Sequence, residues 1–345
     1  MTRLLCLILM CALFPRAATA QEDRTTFGTG ASRLDVRSTT DIDIIRPVME
    51  RFVEANPDLS VNYEQWGSNN LFRNSRDACA GKIPAADAVL SSGVHQLVWL
   101  VNAACGHTYR SESTAALPAS RRWRDELWGI TEEPAVIIYN LGAFKGDDVP
   151  RSRFALLDMM RNRPDLLQRR IATYDIAASG LGYLFAHADS LEATTFGAML
   201  EGFARVQAVA TCCSSEIIDA VAEGRFLIAY NVLGSYVASD STPNVGVIQP
   251  EDYTLILSRG FMIPRTAPNK AAAVRLLDFL LSPQARDALR AAGLVMEHDP
   301  SETALLQSAR RPIPLSPPLL VALDQQRRET LLSLWQGAFN LGVLP

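Results

Sequence analysis

The chain has 345 residues, of which 48% are apolar and 20% charged, enough for two domains of ordinary size and normal for a folded soluble protein. Its net charge is −4, and removal of residues 1–20 takes away Arg3 and Arg16 and no acid, leaving −6. That balance, with no basic block interleaved with aromatics, argues against nucleic acid and anionic lipid as partners. No run after residue 20 reaches the roughly 18 apolar residues of a membrane span, so direct membrane insertion is not expected.

Residues 1–20 read as an export signal. Arg3 supplies the charged start, Leu4 to Phe14 the apolar run, and Ala18-Thr19-Ala20 a small-x-small cleavage site before Gln21. Met10 before Cys11 does not fit a lipoprotein box, so a free monomer in the bacterial periplasm is expected. Four cysteines follow the signal: Cys79, Cys105, Cys212 and Cys213. Export permits disulfides, and four cysteines allow three pairings. Cys79 precedes a strand and Cys105 ends the helix after it, so both fall at one end of one unit and a Cys79–Cys105 bridge is preferred. Cys212 and Cys213 are then free or joined to each other. Metal binding is the less favoured alternative, because His95, His107, His187 and His298 have no ligand spacing around these thiols.

In chain order, Leu34–Ser38 reads as a strand. Ser38-Thr39-Thr40-Asp41 offers caps for a helix from about Asp43 to Asn56, with Ile44, Ile45, Val48, Met49 and Phe52 on one face. Leu59–Tyr63 is the next strand and Leu71–Ala80 a helix. Ala86–Leu90 is a strand ending in Ser91-Ser92-Gly93, before a helix from Val94 to Ala104. Two strands thus end in hydroxyl residues at a helix start. There, backbone N–H groups and the helix dipole favour an anion or a polar ligand; plain capping is the commoner use of such residues.

Arg121–Leu127 reads as charged surface. Trp128-Gly129-Ile130 leads to Pro134-Ala135-Val136-Ile137-Ile138-Tyr139-Asn140, a β-branched apolar run that reads as a buried strand. The same strand–helix alternation recurs on both sides, so this strand is taken to cross between two lobes, with the functional cleft where they meet. One more core strand in a single domain is the alternative. Beyond it come a helix over Leu156–Asn162, a strand over Ile171–Asp175, and Ser179-Gly180 opening a helix. This Ser-Gly pair allows close backbone approach but is not a phosphate-binding P-loop. A helix over Ile217–Glu223, a strand over Phe226–Asn231 and a return crossing over Tyr253–Leu257 follow. Arg259–Ile263, helices over Ala271–Leu281 and up to Ala292, a Pro- and Ser-rich wrapping loop from His298 to Pro318, and a closing helix pair over Leu319–Leu341 complete the chain.

Taken together, the exported start, Leu34–Asp41, Ala86–Ser92, Pro134–Asn140, Tyr174–Leu184, Tyr230-Asn231, Asp252–Pro264 and Leu277-Asp278-Phe279-Leu280-Leu281-Ser282-Pro283 resemble bacterial extracellular solute-binding proteins of ABC transporters. The resemblance covers nearly all of the chain after the signal. The nearest groups are the ferric-ion binders, the hexose-phosphate binders and the phosphoglycerate transport regulatory proteins. The resemblance implies a type II periplasmic-binding-protein fold, α/β, with two lobes, two crossing hinge strands and a ligand cleft between the lobes. The expected lobes are 21–137 with 256–345, and 138–255.

By position, the resemblance implies ligand contacts from Ser38, Thr39, Thr40, Ser91, Ser92, Ser179, Gly180 and Asn231. Arg37 and Arg259 are candidates for charge, Trp66 for stacking, and Glu133 and Asp175 for accepting ligand hydroxyls. Each has a structural alternative as a salt bridge, a core ring or a capping carboxylate. Ferric-binding members use two adjacent tyrosines where this chain has Tyr230-Asn231-Val232, which puts iron in doubt. Hydroxyls, amides and helix N-termini suit a phosphate or carboxylate group. The expected function is capture of a small anionic organic solute for an ABC permease, with no cofactor. The alternatives are ferric-ion binding and a sensing role read by a membrane sensor kinase. An enzyme is not expected: Cys212-Cys213 is the only tempting nucleophile, and no His or acid is positioned to activate it.

Overall fold

The computed structural model of the chain describes residues 21–237, 242–295 and 309–341. The expected export signal, with Cys6 and Cys11, and residues 298–308 of the expected wrapping loop lie outside these residues.

The chain runs β1 (Gln21–Phe27), β2 (Ser32–Ser38), α1 (Ile42–Ala55), β3 (Leu59–Trp66), α2 (Ser68–Cys79), β4 (Ala88–Ser91) and α3 (Val94–Asn102). Next are α4 (Glu112–Ala116), β5 (Arg122–Trp123), β6 (Leu127–Gly129) and β7 (Glu133–Asn140). The second half opens with α5 (Arg153–Asn162), α6 (Pro164–Leu167), β8 (Ile171–Tyr174), α7 (Gly180–Glu192), α8 (Phe196–Arg205), β9 (Val209–Thr211), α9 (Ser214–Ala222) and β10 (Ile228–Leu233). It closes with β11 (Val245–Ile248), β12 (Thr254–Leu257), β13 (Gly260–Met262), α10 (Lys270–Leu280), α11 (Pro283–Ala291), β14 (Arg310–Pro312), α12 (Gln325–Ala338) and β15 (Asn340–Leu341).

Two sheets organise these elements, as the two-lobe α/β expectation requires. The first has the order β1-β3-β2-β4-β13-β6-β5 and the second β14-β12-β7-β10-β8-β9-β15, with β11 also on β7. Parallel pairing of β2 with β3 and β4 puts α1 and α2 in crossover positions and brings the carboxyl ends of β2 and β4 side by side. In the second sheet, β8 pairs in parallel with both β10 and β9, so the starts of α7 and α9 come to one edge. The chain leaves the first sheet after Gly129, enters the second at Glu133, and returns between Leu257 and Gly260. Ala135 to Ile138 of β7 are fully buried, as a strand covered on both faces must be.

Each lobe has its own apolar cluster, one built on Val36, Val48 and Phe52, the other on Leu156, Ile171 and Phe203. A third cluster bridges them, from Leu97 and Val101 of α3 to Leu184 of α7 and Leu319.

The C-terminal part departs from expectation. Residues 256–345 were expected with the first lobe, but β14 pairs with β12, β15 pairs with β9, and α12 packs on α8, all in the second. Among the described residues, β13, α10 and α11, with Leu294 and Val295, rejoin the first sheet and its core. The first member of the expected closing helix pair is a 3-10 segment, Pro317–Leu323. Strand β1 carries no alternating apolar pattern and emerges only through its antiparallel pairing with β3.

Cys79, at the end of α2, is bonded to Cys105, just beyond α3, with Cα atoms 5.4 Å apart and a sequence separation of 26. Closing a loop of that size restricts the unfolded chain by about 3.5 kcal/mol. Cys79→Ala with Cys105→Ala is therefore expected to lower unfolding free energy by about that amount in denaturant titration, with the midpoint lowered and the slope increased as the unlinked unfolded chain exposes more surface.

Candidate functional site

The carboxyl ends of β2 and β4 deliver the loops Ser38-Thr39-Thr40 and Ser91-Ser92 to the same place. The two loops are joined directly: the Ser92 N–H donates to Thr39 Oγ1 at 2.9 Å, and the Thr39 and Ser92 hydroxyls lie 3.0 Å apart. Ser38 and Ser91 act as turn caps, their Oγ atoms accepting from the N–H groups of Thr40 and Gly93. Ser38, Thr40, Ser91 and Ser92 are all buried.

Under these loops lies Arg259. It forms a two-pronged ion pair with Glu133, at 2.8 Å from Nε and 3.1 Å from Nη2, with both side chains essentially buried. Arg259 Nη1 also donates to Thr40 Oγ1 at 3.0 Å and to the Thr39 carbonyl at 3.3 Å. Thr131 Oγ1 accepts from the Arg259 N–H and donates to Glu133. Burial works against the Arg259 charge, but Glu133 and Tyr236 outweigh it and hold the guanidinium above its ordinary range. Arg259 and Glu133 are thus largely committed to each other. Arg37 is committed elsewhere, to Glu64 and Asn74.

A cavity of about 400 Å³ opens above this pair, between the lobes, a size that suits a small ligand. Of the residues expected at the site, Thr39, Trp66, Ser92, Ser179 and Arg259 line it. The Trp66 Nε1 donates to Glu64 and leaves the ring as the cavity surface. Ser38, Thr40, Ser91 and Glu133 form the buried layer beneath. Gly180 sits at the lobe contact described below. Asp175 caps its own turn, accepting from the Ala177 N–H. Asn231 lies in a separate buried cluster at a break in the β10–β7 register. There its amide donates to Asp189, and Arg153, Tyr230 and Tyr253 complete the network.

The remaining wall was not placed at the site from the sequence: Glu22, Asp41, Gln65, Gly67, Ser68, Tyr174, Ala178, Leu181, Cys212 to Glu216 and Tyr236. Glu22 comes in on β1. The most telling signal for the rest is Cys212-Cys213-Ser214-Ser215-Glu216, whose hydroxyls and acid before an apolar run mark a helix start.

Four helices begin on this cavity. Their N-caps, Asp41 (α1), Gly67 (α2), Ser179 (α7) and Cys213 (α9), all line it. Only Ser179 caps its own helix, accepting from the Gly182 N–H; the other three make no side-chain cap. Each start carries about half a positive charge on N–H groups without intrahelical acceptors. The carboxylates Glu22, Asp41 and Glu216 oppose this field. Burial pushes the Asp41 carboxyl up, against the Tyr236 hydroxyl, which donates to it at 2.9 Å, and the Arg259 charge. Burial likewise raises Glu22, against a hydrogen bond from Gln65. The Tyr174 phenol is pushed up to about 12 and Tyr236 well above its ordinary value, both mainly by burial.

The lobes are closed on each other. Asn69 Nδ2, on α2, donates to the carbonyls of Ala177 and Ala178 at 3.0 and 2.8 Å, and the Gly180 N–H donates to Ser68 Oγ at 2.8 Å. Gln96 Nε2 holds Asn69 Oδ1 at 2.8 Å. A Cβ at position 180 would stand 2.8 Å from Gln96 Nε2 and 2.9 Å from Ser68 Oγ. Gly180→Val is therefore expected to hold the lobes apart. Small-angle scattering of the variant under ligand-saturating conditions should show the larger radius of the open form, and affinity should fall at least tenfold.

Further along the same junction, His95 of α3 is buried, its Nδ1 without a hydrogen-bond partner among the described residues, and its ring centroid lies 5.7 Å from that of Tyr183, which stacks on His187. Burial, reinforced by His187 and Arg328, lowers His95 to about 3. Unfolded histidine titrates near 6.5, so between those values the unfolded chain holds the extra proton. Stability should be full above about pH 6.5 and fall as pH drops toward 3. His95→Leu is expected to flatten that part of the melting-temperature profile relative to wild type.

A family model of bacterial extracellular solute-binding proteins matches residues 36–295. The substrate-binding protein of an ABC transporter from Agrobacterium tumefaciens is 30% identical, with 92% of this chain and 98% of that one covered at a TM-score of 0.85. AfuA from Actinobacillus pleuropneumoniae, solved with exogenous fructose-6-phosphate bound, is 15% identical over 90% of this chain and 99% of its own, at a TM-score of 0.67. Iron-bound HitA from Pseudomonas aeruginosa is 17% identical over 89% and 99%, also at 0.67. At those identities the last two share the fold. No curated protein sequence matches.

Proposed function

The chain belongs to the bacterial extracellular solute-binding proteins, and from that premise we propose that it captures a small organic anion, phosphorylated or carboxylated, in the periplasm and delivers it to an ABC importer. The convergence of four helix N-termini on one closed cavity carries this reading. Their N–H groups are fixed dipoles that meet an anion without reorganising. The acids in the same wall refine it: Glu22, Asp41 and Glu216 need donors from the solute. An organic anion bearing hydroxyl or ammonium groups answers both sets better than a bare inorganic ion. The family's fold relatives include a hexose-phosphate complex and an iron complex.

Two features favour the organic anion over ferric iron. The Tyr230 hydroxyl is bound up with Asp189 and Arg153, outside the cavity. The cavity phenols Tyr174 and Tyr236 are engaged with Ser214 and Asp41, whereas iron asks for several phenolate or carboxylate oxygens, and among the described residues no three of His, Cys, Asp and Glu are grouped to hold a metal ion.

A melting screen against phosphorylated, carboxylated and neutral sugars and small acids tests the proposal. Charged members that also carry hydroxyls are expected to raise the melting temperature, while the neutral parents do not. Ser179→Asp keeps a capping oxygen but places negative charge at the α7 start. It should weaken the binding of those same members at least tenfold in calorimetry. A response confined to neutral sugars, or undiminished binding in Ser179→Asp, would overturn the anion reading.

A further inference from the structure

Cys212 and Cys213 are joined as a disulfide between neighbouring residues, and this small ring forms part of the cavity wall. Cys212 is exposed and Cys213 half-buried, whereas in the other disulfide Cys105 is buried. A bridge between adjacent residues closes almost no chain loop, so the entropic route by which Cys79–Cys105 stabilises is closed to it. Its effect is local. Cys213 is the N-cap of α9 and sits at φ 72, a value that non-glycine residues seldom adopt. Its carbonyl accepts from the Ile217 N–H at 3.3 Å, and next to it Ser214 Oγ lies 2.6 Å from the Tyr174 hydroxyl. The ring therefore locks the turn that presents one of the four helix N-termini to the cavity.

We propose that the Cys212–Cys213 disulfide is a redox-sensitive clamp, which holds the start of α9 in the cavity wall while oxidised and releases it when a dithiol reduces it. The exchange is balanced. A thiolate of the dithiol attacks the exposed Cys212 Sγ, the S–S bond breaks, and its electron pair leaves on Cys213 Sγ, which takes a proton. The second thiol of the reductant then attacks the mixed disulfide and frees Cys212 as a thiol, so the reductant departs as a disulfide. With the ring open, Cys213 can leave its positive φ and the first turn of α9 loses its fixed place. The consequence for solute capture rests on the anion reading above; the release of α9 does not.

The test combines mild dithiol treatment of the full protein, alkylation mass spectrometry and amide hydrogen exchange. Labels are expected at Cys212 and Cys213 before Cys79 and Cys105. Exchange in the peptide covering 209–221 should quicken about tenfold, both in the selectively reduced protein and in Cys212→Ser with Cys213→Ser, while the starts of α1, α2 and α7 keep their rates. Prior reduction of Cys79–Cys105, or exchange in α9 equal within twofold in all forms, would overturn the clamp. Fructose 6-phosphate and inorganic phosphate are added as probes in parallel. If neither binds the oxidised form while α9 still loosens on reduction, it is the anion reading that fails and the clamp that stands.

Discussion

Everything in the cleft depends on one buried ion pair, Arg259 with Glu133. Glu133 opens the strand by which the chain enters the second sheet, and Arg259 lies on the return between β12 and β13. The pair therefore ties the outgoing and returning crossings together at the hinge. The same guanidinium reaches Thr39 and Thr40, which positions the first hydroxyl loop. Two charges removed from water are worth keeping only when their hydrogen bonds are filled, and here Thr131 fills the remainder. Removing one partner would strand the other and cost about 3–5 kcal/mol. With its charge spent in this way, Arg259 lines the cavity without making it strongly cationic.

On the proposed reading, the attraction for an anion then comes from backbone. Parallel strands in both lobes send helices away from a common edge, so helix starts accumulate there whatever the side chains. Closure adds the second lobe's starts to the first lobe's, through the Asn69 and Gly180 contacts. A solute that neutralises four converging N-termini would stabilise the closed form over the open one, and that differential would couple the proposed capture to hinge motion. The acids in the wall limit which anions profit, since each must receive a donor.

Much of this was legible before any coordinates. Periodicity gave α1, α3 and the buried strand over 133–140 nearly to their ends, because apolar spacing is the signal that burial imposes. The pairing of Cys79 with Cys105 followed from both lying at one end of a strand–helix unit. The loops Ser38–Thr40 and Ser91-Ser92 could be placed at one edge from topology alone. What the sequence did not carry was orientation. Ser38 and Ser91 turn inward as caps while Thr39 and Ser92 reach the cavity, a choice made by turn geometry. Asn231, read from the sequence as a strand end, lies inside β10, where a register break draws it into the Arg153–Asp189 network. Strand β1 and the docking of β14, β15 and α12 on the second lobe depend on partners remote in sequence, which local patterning does not encode.

Native mass spectrometry of the protein purified from the periplasm, beside its denatured spectrum, addresses the central claim most directly. The account predicts an excess mass in the native spectrum alone, matching one small organic phosphate or carboxylate that carries hydroxyl or amino groups. An excess matching iron, or a neutral sugar retained in its place, would contradict it.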